Sequence, residues 1–154
     1  MYKKILVPLD GSLRAETILP HVESLALYLK STVILLYVDE TSDVALERDE
    51  VVDVDAFLEK RRNRIASQRA YLQDIIDRWR SVDIDARMHI GRGSVVACIL
   101  DAAKRESADL VAMTSHGQSG MARTFYGSVA VGVLNRIDRP LLLIRSRYIK
   151  TEGG

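Results

Sequence analysis

Residues 4–38 read KILVPLDGSLRAETILPHVESLALYLKSTVILLYV, and their pattern decides the fold class. KILVPL, residues 4–9, is a short, nearly all-apolar run rich in branched side chains. That is the pattern of a strand buried on both faces, as in a parallel sheet. Asp10-Gly11-Ser12 breaks the run. From about Arg14 to Lys30, Ile18, Val22, Leu25, Ala26 and Leu29 fall on one helical stripe. TVILLYV, residues 32–38, repeats the buried-strand pattern. Strand, helix and strand within about 35 residues make a βαβ unit.

The alternation continues outward. A long amphipathic helix is predicted from about Val54 to Arg80, where Leu58, Ile65, Leu72 and Trp79 recur every seven residues and Ile75 and Ile76 widen the stripe. VDIDARMHI, residues 82–90, alternates polar and apolar residues and reads as a strand nearer the sheet edge. Gly91-Arg92-Gly93-Ser94 opens a helix through Lys104, with Ser94 a candidate N-cap. DLVAMT at 109–114 is the fourth strand, Ser128 to Arg136 a helix, and PLLLI at 140–144 the fifth strand. The expectation is an α/β fold, one five-stranded parallel sheet covered by helices on both faces in three layers. Residues 1–148 read as a single domain and 149–154 as a disordered tail. Glu40 to Asp55 holds seven acidic residues and one basic residue, Arg48, and reads as a solvated connector.

Composition narrows the function classes. The chain has 154 residues, 47% hydrophobic and 28% charged, the balance of an ordinary globular domain. Its 22 basic and 21 acidic residues nearly cancel, which argues against a nucleic-acid binder with a basic stripe. The single cysteine, Cys98, has no internal disulfide partner, so a reducing compartment is the default. Within the apolar helical pattern of Val95, Val96, Ile99 and Leu100 it reads as a buried small hydrophobe. No run approaches a membrane span, and the apolar run after Lys3-Lys4 is too short for a signal peptide, so a cytoplasmic protein is expected. His21 and His89 have no ligand-spaced partner, and no metal site is expected.

In open α/β sheets, ligands bind outside the carboxyl ends of the strands at the topological switch point. That rule points to Pro8–Ser12, Val38–Glu40, Gly91–Ser94 and Met113–Ser128. Within the last span, SHGQSGMARTFYGS (115–128) carries Gly117, Gly120 and Gly127-Ser128. Two readings stand. Glycine lets a ligand approach main-chain amides, and a helix N-terminus favours anions, which together make a polyphosphate cradle. Alternatively, the glycines ease a loop and Ser128 caps a helix. Arg123 either meets a phosphate or stands exposed. The P-loop pattern GxxxxGK[ST] is absent, as is GxGxxG after the first strand. No general base is evident except His116, which could instead bond the backbone or face solvent. Asp10 suits ribose hydroxyls or a turn.

Three stretches carry a family resemblance: KILVPLDGS, VILLYV, and DLVAMTSHGQSGMARTFYGSVAVGVLNRIDRPLLLIR. Across nearly its full length the chain resembles the universal stress proteins. Members of that family that bind ATP show Gly-x2-Gly-x9-Gly-Ser/Thr. Gly117 and Gly127-Ser128 match the second and third parts, whereas the first glycine falls on Thr114. The branched Cβ of Thr disfavours positive φ and crowds backbone approach. The resemblance implies an α/β sandwich of the adenine nucleotide alpha hydrolase-like kind, with sheet order 3-2-1-4-5. It implies that Pro8 and Asp10, with Gly11 and Ser12 beside them, line adenine and ribose, and that the Val38 backbone meets adenine. Met113, Thr114, Ser115, His116 and Gly117 would run under the ribose and α-phosphate. Gly120 would lie in the loop beyond, and Gly127, Ser128 and Val129 would hold the outer phosphates. The implied cofactor is ATP, with or without Mg²⁺. The implied assembly is a homodimer through the last strand, Leu141–Ile144. The function implied is a nucleotide-dependent regulatory protein of the stress response. The alternatives are an interaction module without nucleotide, motivated by Thr114, and a slow ATP hydrolase.

Overall fold

Alternation along each strand sorts the core into two halves. In β1 (Lys4–Leu9), Ile5, Val7 and Leu9 join one apolar cluster and Leu6 the other. In β2 (Thr32–Asp39), Val33 and Leu35 face the first cluster, Ile34 and Leu36 the second. Both faces of a strand must therefore be covered, which is why these runs read as continuously apolar. The computed structural model describes residues 1–40, 53–116 and 127–145. The acidic connector up to residue 52, Gly117, Gly120, Arg123 and the tail at 149–154 lie outside the described residues.

With β3 (Asp85–Arg92), β4 (Leu110–Thr114) and β5 (Leu141–Ile144), the strands form one five-stranded parallel sheet of order β3-β2-β1-β4-β5. The first cluster is closed by α1 (Leu13–Glu16), α2 (Leu19–Leu29) and α3 (Val54–Arg80). The second is closed by α4 (Val95–Arg105) and α5 (Ser128–Arg136). Fully buried side chains such as Leu72 and Ile99 contribute roughly 1.5–3 kcal/mol each by leaving water. No described helix is long and apolar enough to cross a membrane.

Three elements differ from the sequence reading. The helix expected from Arg14 to Lys30 is two helices, broken at Thr17-Ile18. Pro20 is the cause. Inside a continuous helix its ring would clash with the carbonyl four residues back, whereas in the first turn of α2 its missing N–H costs nothing. The third strand starts at Asp85, not Val82. Val82 and Ile84 instead donate their amides to the Trp79 carbonyl at 3.0 Å, with Asp83 between them in the left-handed region at φ 63°.

The predicted stripe of α3 is buried only along its second half, at Leu72, Ile75, Ile76 and Trp79, while Leu58 is exposed. At 1.5 Å per residue the helix is roughly 40 Å long, against roughly 26 Å for its neighbour β3, so its first half outruns the sheet. The helix begins where Asp53 accepts the amides of Asp55 and Ala56 at 3.1 and 3.2 Å. Cys98 is half-buried rather than fully so. Its thiol donates to the Arg92 carbonyl at 3.2 Å, and burial pushes its pKa up.

Candidate functional site

β1 sits between β2 and β4, and the crossovers on its two sides run to opposite faces of the sheet. At the carboxyl end the connections therefore diverge, as the switch-point rule requires. A cavity of about 240 Å³ opens there. Its lining brings together Pro8 and Asp10 from the end of β1, Met113, Thr114 and Ser115 from β4, and Gly127, Ser128 and Val129 from the start of α5. Gly11, Ser12, Val38 and His116 are neighbours in the chain or sheet but are not part of the lining. Leu9, Ala15, Val95 and Ala130 complete the wall, and nothing in the sequence distinguished them from core residues. Glu40 also lines it, one residue past the end of β2.

The turn after β1 is built by its own polar side chains. Asp10 Oδ1 accepts the Ser12 amide at 2.9 Å, and Ser12 Oγ accepts the Ala15 amide at 3.2 Å, capping α1. Gly11 lies between them at φ +82°, a conformation that L side chains rarely adopt, and a Cβ there would meet Tyr37 Oη at 3.4 Å. The Tyr37 hydroxyl donates to the Asp10 carbonyl at 3.1 Å. Burial first, then the charges of Asp10, Asp39 and Glu40, push the phenol's pKa up from 10.0, so it stays a donor.

The passage from β4 to α5 is tied more tightly. The Ser115 amide donates to the Ile144 carbonyl and the Ser115 carbonyl accepts the Gly127 amide, both at 2.8 Å. Ser115 Oγ and His116 Nδ1 are 3.0 Å apart. Thr114, the last residue of β4, donates its hydroxyl to the His116 carbonyl at 2.9 Å. Among the described residues the non-glycines at positive φ are Tyr2, Lys30, Asp83 and Ser107. Thr114 is not one of them, so the conformational cost expected for Thr there is absent. What remains is volume, because the side chain is buried and lines the cavity.

Ser128 is the first residue of α5 rather than its cap; Gly127 holds the cap position, and no described side chain caps the helix. The first intrahelical bond runs from the Val131 amide to the Gly127 carbonyl at 3.0 Å. The amides of Ser128, Val129 and Ala130 therefore precede the helical ladder at the cavity wall, where orphan donors and the helix dipole favour an acceptor.

The end of β2 is held by a partly buried ion pair. Arg64 Nε and Nη2 fork onto the two Asp39 carboxylate oxygens at 2.9 and 3.0 Å, and the Gly93 amide donates to the Asp39 carbonyl at 3.0 Å. The cavity lining holds two carboxylates, Asp10 and Glu40, and among the described residues no Lys or Arg. No group of three or more potential metal ligands occurs among the described residues.

A doubly wound parallel sheet with a cleft at its switch point defines the class as an α/β sandwich. The chain belongs to the universal stress protein family, which matches residues 1–145. It is 27% identical to universal stress protein MJ0577 of Methanocaldococcus jannaschii, over 96% of this chain and 97% of that one. The solved structure of that protein superposes with a TM-score of 0.82, covering 96% and 99% of the two chains. The fold is also shared with a universal stress protein family member from Arabidopsis thaliana solved with AMP bound, at 15% identity, 98% and 96% coverage and TM-score 0.68. A universal stress protein solved in complex with cAMP shares it at 18% identity, 95% and 98% coverage and TM-score 0.66.

Proposed function

We propose that this chain is an adenine-nucleotide-binding regulatory protein of the stress response, acting as a homodimer in the cytoplasm. One observation carries the reading: the uncapped start of α5 opens onto a cavity formed by the ends of β1 and β4. Adenine fits the apolar wall of Pro8, Leu9, Val95 and Met113, and phosphate oxygens fit the amides of Ser128 and Val129. The AMP and cAMP bound to fold relatives support adenine as the base. ATP, alone or as its Mg²⁺ complex, is the nucleotide implied by Gly117 and Gly127-Ser128. Two carboxylates are too few for a dedicated Mg²⁺ cage, so the ion would arrive on the phosphates.

The dimer reading rests on β5, which among the described residues pairs with β4 alone and lies at one end of the sheet order. Strand edges of that kind recruit a further strand.

Mass analysis of ligand released from the denatured, purified protein tests the site. Recovery of an adenine nucleotide, or heat on titration with millimolar nucleotide, supports it. An empty protein that also gives no heat removes it and leaves a dimeric interaction module.

A further inference from the structure

We infer that the groove between the start of α2 and the end of α3 binds a free basic amino acid of the lysine or arginine class. The inference is independent of the nucleotide reading above, since the groove shares no lining residue with the switch-point cavity.

α1, α2 and α3 cover the same face of the sheet and share one apolar cluster. Where the chain breaks at Thr17-Ile18 and Pro20 opens α2, a groove of about 400 Å³ lies between these helices. That volume falls within the range of small-molecule sites. Its apolar lining is Leu19, Pro20, Trp79 and Val82, of which Leu19 and Trp79 are buried.

Three charged side chains complete the lining: Glu16, Glu23 and Arg78. None of them forms an ion pair among the described residues. Glu23 is held in place, because its Oε2 accepts the Trp79 indole N–H at 3.3 Å, which leaves Oε1 as an acceptor. Glu16 stands near the Tyr71 phenol. Burial first, then the Glu16 charge, push that phenol's pKa up, so it stays neutral and leaves the carboxylate's charge intact.

Glu16 and Glu23 are seven residues apart, on the order of 10 Å at a helical rise. Two carboxylates so spaced beside an apolar floor suit two cationic groups joined by an aliphatic stem. Arg78 supplies a planar donor fork for a carboxylate. A molecule with two cations, one carboxylate and an aliphatic stem is a basic α-amino acid. Each of its charges meets an opposite charge, and its methylenes cover the apolar lining. A neutral amino acid leaves one glutamate unmatched, and a diamine leaves Arg78 facing a cation.

Trp79 is the single tryptophan of the chain, so its fluorescence reports this groove. The test titrates the full chain with lysine, arginine, norleucine, cadaverine and Nα-acetyl-lysine, read by fluorescence and by calorimetry. Lysine or arginine should give a saturable change with a Kd on the order of a millimolar. Norleucine lacks the second ammonium and cadaverine lacks the carboxylate. Each should bind roughly fivefold more weakly than lysine, the effect of one solvent-exposed charge contact. Arg78→Gln should bring lysine down to the level of cadaverine without weakening cadaverine. Glu23→Gln, which can still accept the indole N–H, should weaken both, and high salt should weaken lysine several-fold. No saturable signal and no heat with either lysine or arginine overturns the inference. So does norleucine binding as tightly as lysine, or a lysine affinity unmoved by both substitutions. Nα-acetyl-lysine binding as tightly as lysine overturns the free amino acid as occupant and assigns the groove to a C-terminal lysine of a polypeptide.

Discussion

The Gly127 amide donates to the Ser115 carbonyl at 2.8 Å, and a Cβ on Gly127 would stand 3.1 Å from that same oxygen. The φ of Gly127 is −68°, which any residue adopts, so glycine is required here for space alone. One hydrogen bond thus sets both the entry of α5 and its distance from the end of β4. Gly127→Ala should push the two apart by a few tenths of an ångström and cost about 1 kcal/mol, read by urea denaturation. Nucleotide affinity should fall with it, since the displaced amides are those at the cavity wall.

Thr114→Gly should act in opposite directions on stability and binding. It removes a buried hydroxyl bonded to the His116 carbonyl and loosens a strand end, costing about 1–2 kcal/mol. It also empties volume beside Ser115 and Gly127, so ATP affinity should rise. Unchanged affinity at reduced stability would show that the Thr114 side chain does not obstruct the ligand.

Arg64→Ala should be among the more damaging single changes outside the apolar core. Asp39 is buried and would lose the fork, a loss of about 2–3 kcal/mol after allowing for the partial exposure of Arg64. Arg64→Ala combined with Asp39→Asn should recover part of that loss in a double-mutant cycle. No recovery would mean that Arg64 stabilises by packing rather than by charge.

His89 on β3 supplies a pH dependence. Burial first, then the Arg105 charge, hold its pKa below 6.5, with Arg69 adding to the effect and Glu106 opposing it. The folded state thus resists a proton that the unfolded chain accepts. The contribution is present above the unfolded value of 6.5 and is lost as pH falls from there through the lower folded value. The urea midpoint should therefore drop as pH falls below about 6.5, and His89→Gln should flatten that part of the profile.

The dimer reading predicts a position-specific effect on β5. The carbonyls of Pro140 and Ile144 are used by Val111 and Ser115 of the neighbouring strand side. Alternation then turns the backbone groups of Leu141 and Leu143 toward the edge away from β4. Leu143→Pro removes an outward amide without removing a bond to β4, so it should yield monomer in sedimentation while the fold persists. A retained dimer would place the interface elsewhere.

The sequence alone determined the five strands, their parallel sheet and the place of the cleft, because strands buried on both faces must be apolar throughout and the connections between them must be helical. It also marked Asp10 at the end of β1 and Gly127-Ser128 at the start of a helix, and the family resemblance marked Thr114. Tertiary structure decided the rest. The break at Pro20 and the late start of β3 depend on competition among local bonds that periodicity does not register. The approach of Gly127 to Ser115 and the fork of Arg64 on Asp39 join residues distant in the chain. The placement of Glu40 beside Asp10 follows from which strands are neighbours. Only the convergence of the ends of β1, β2 and β4 in space brings these side chains to one cavity.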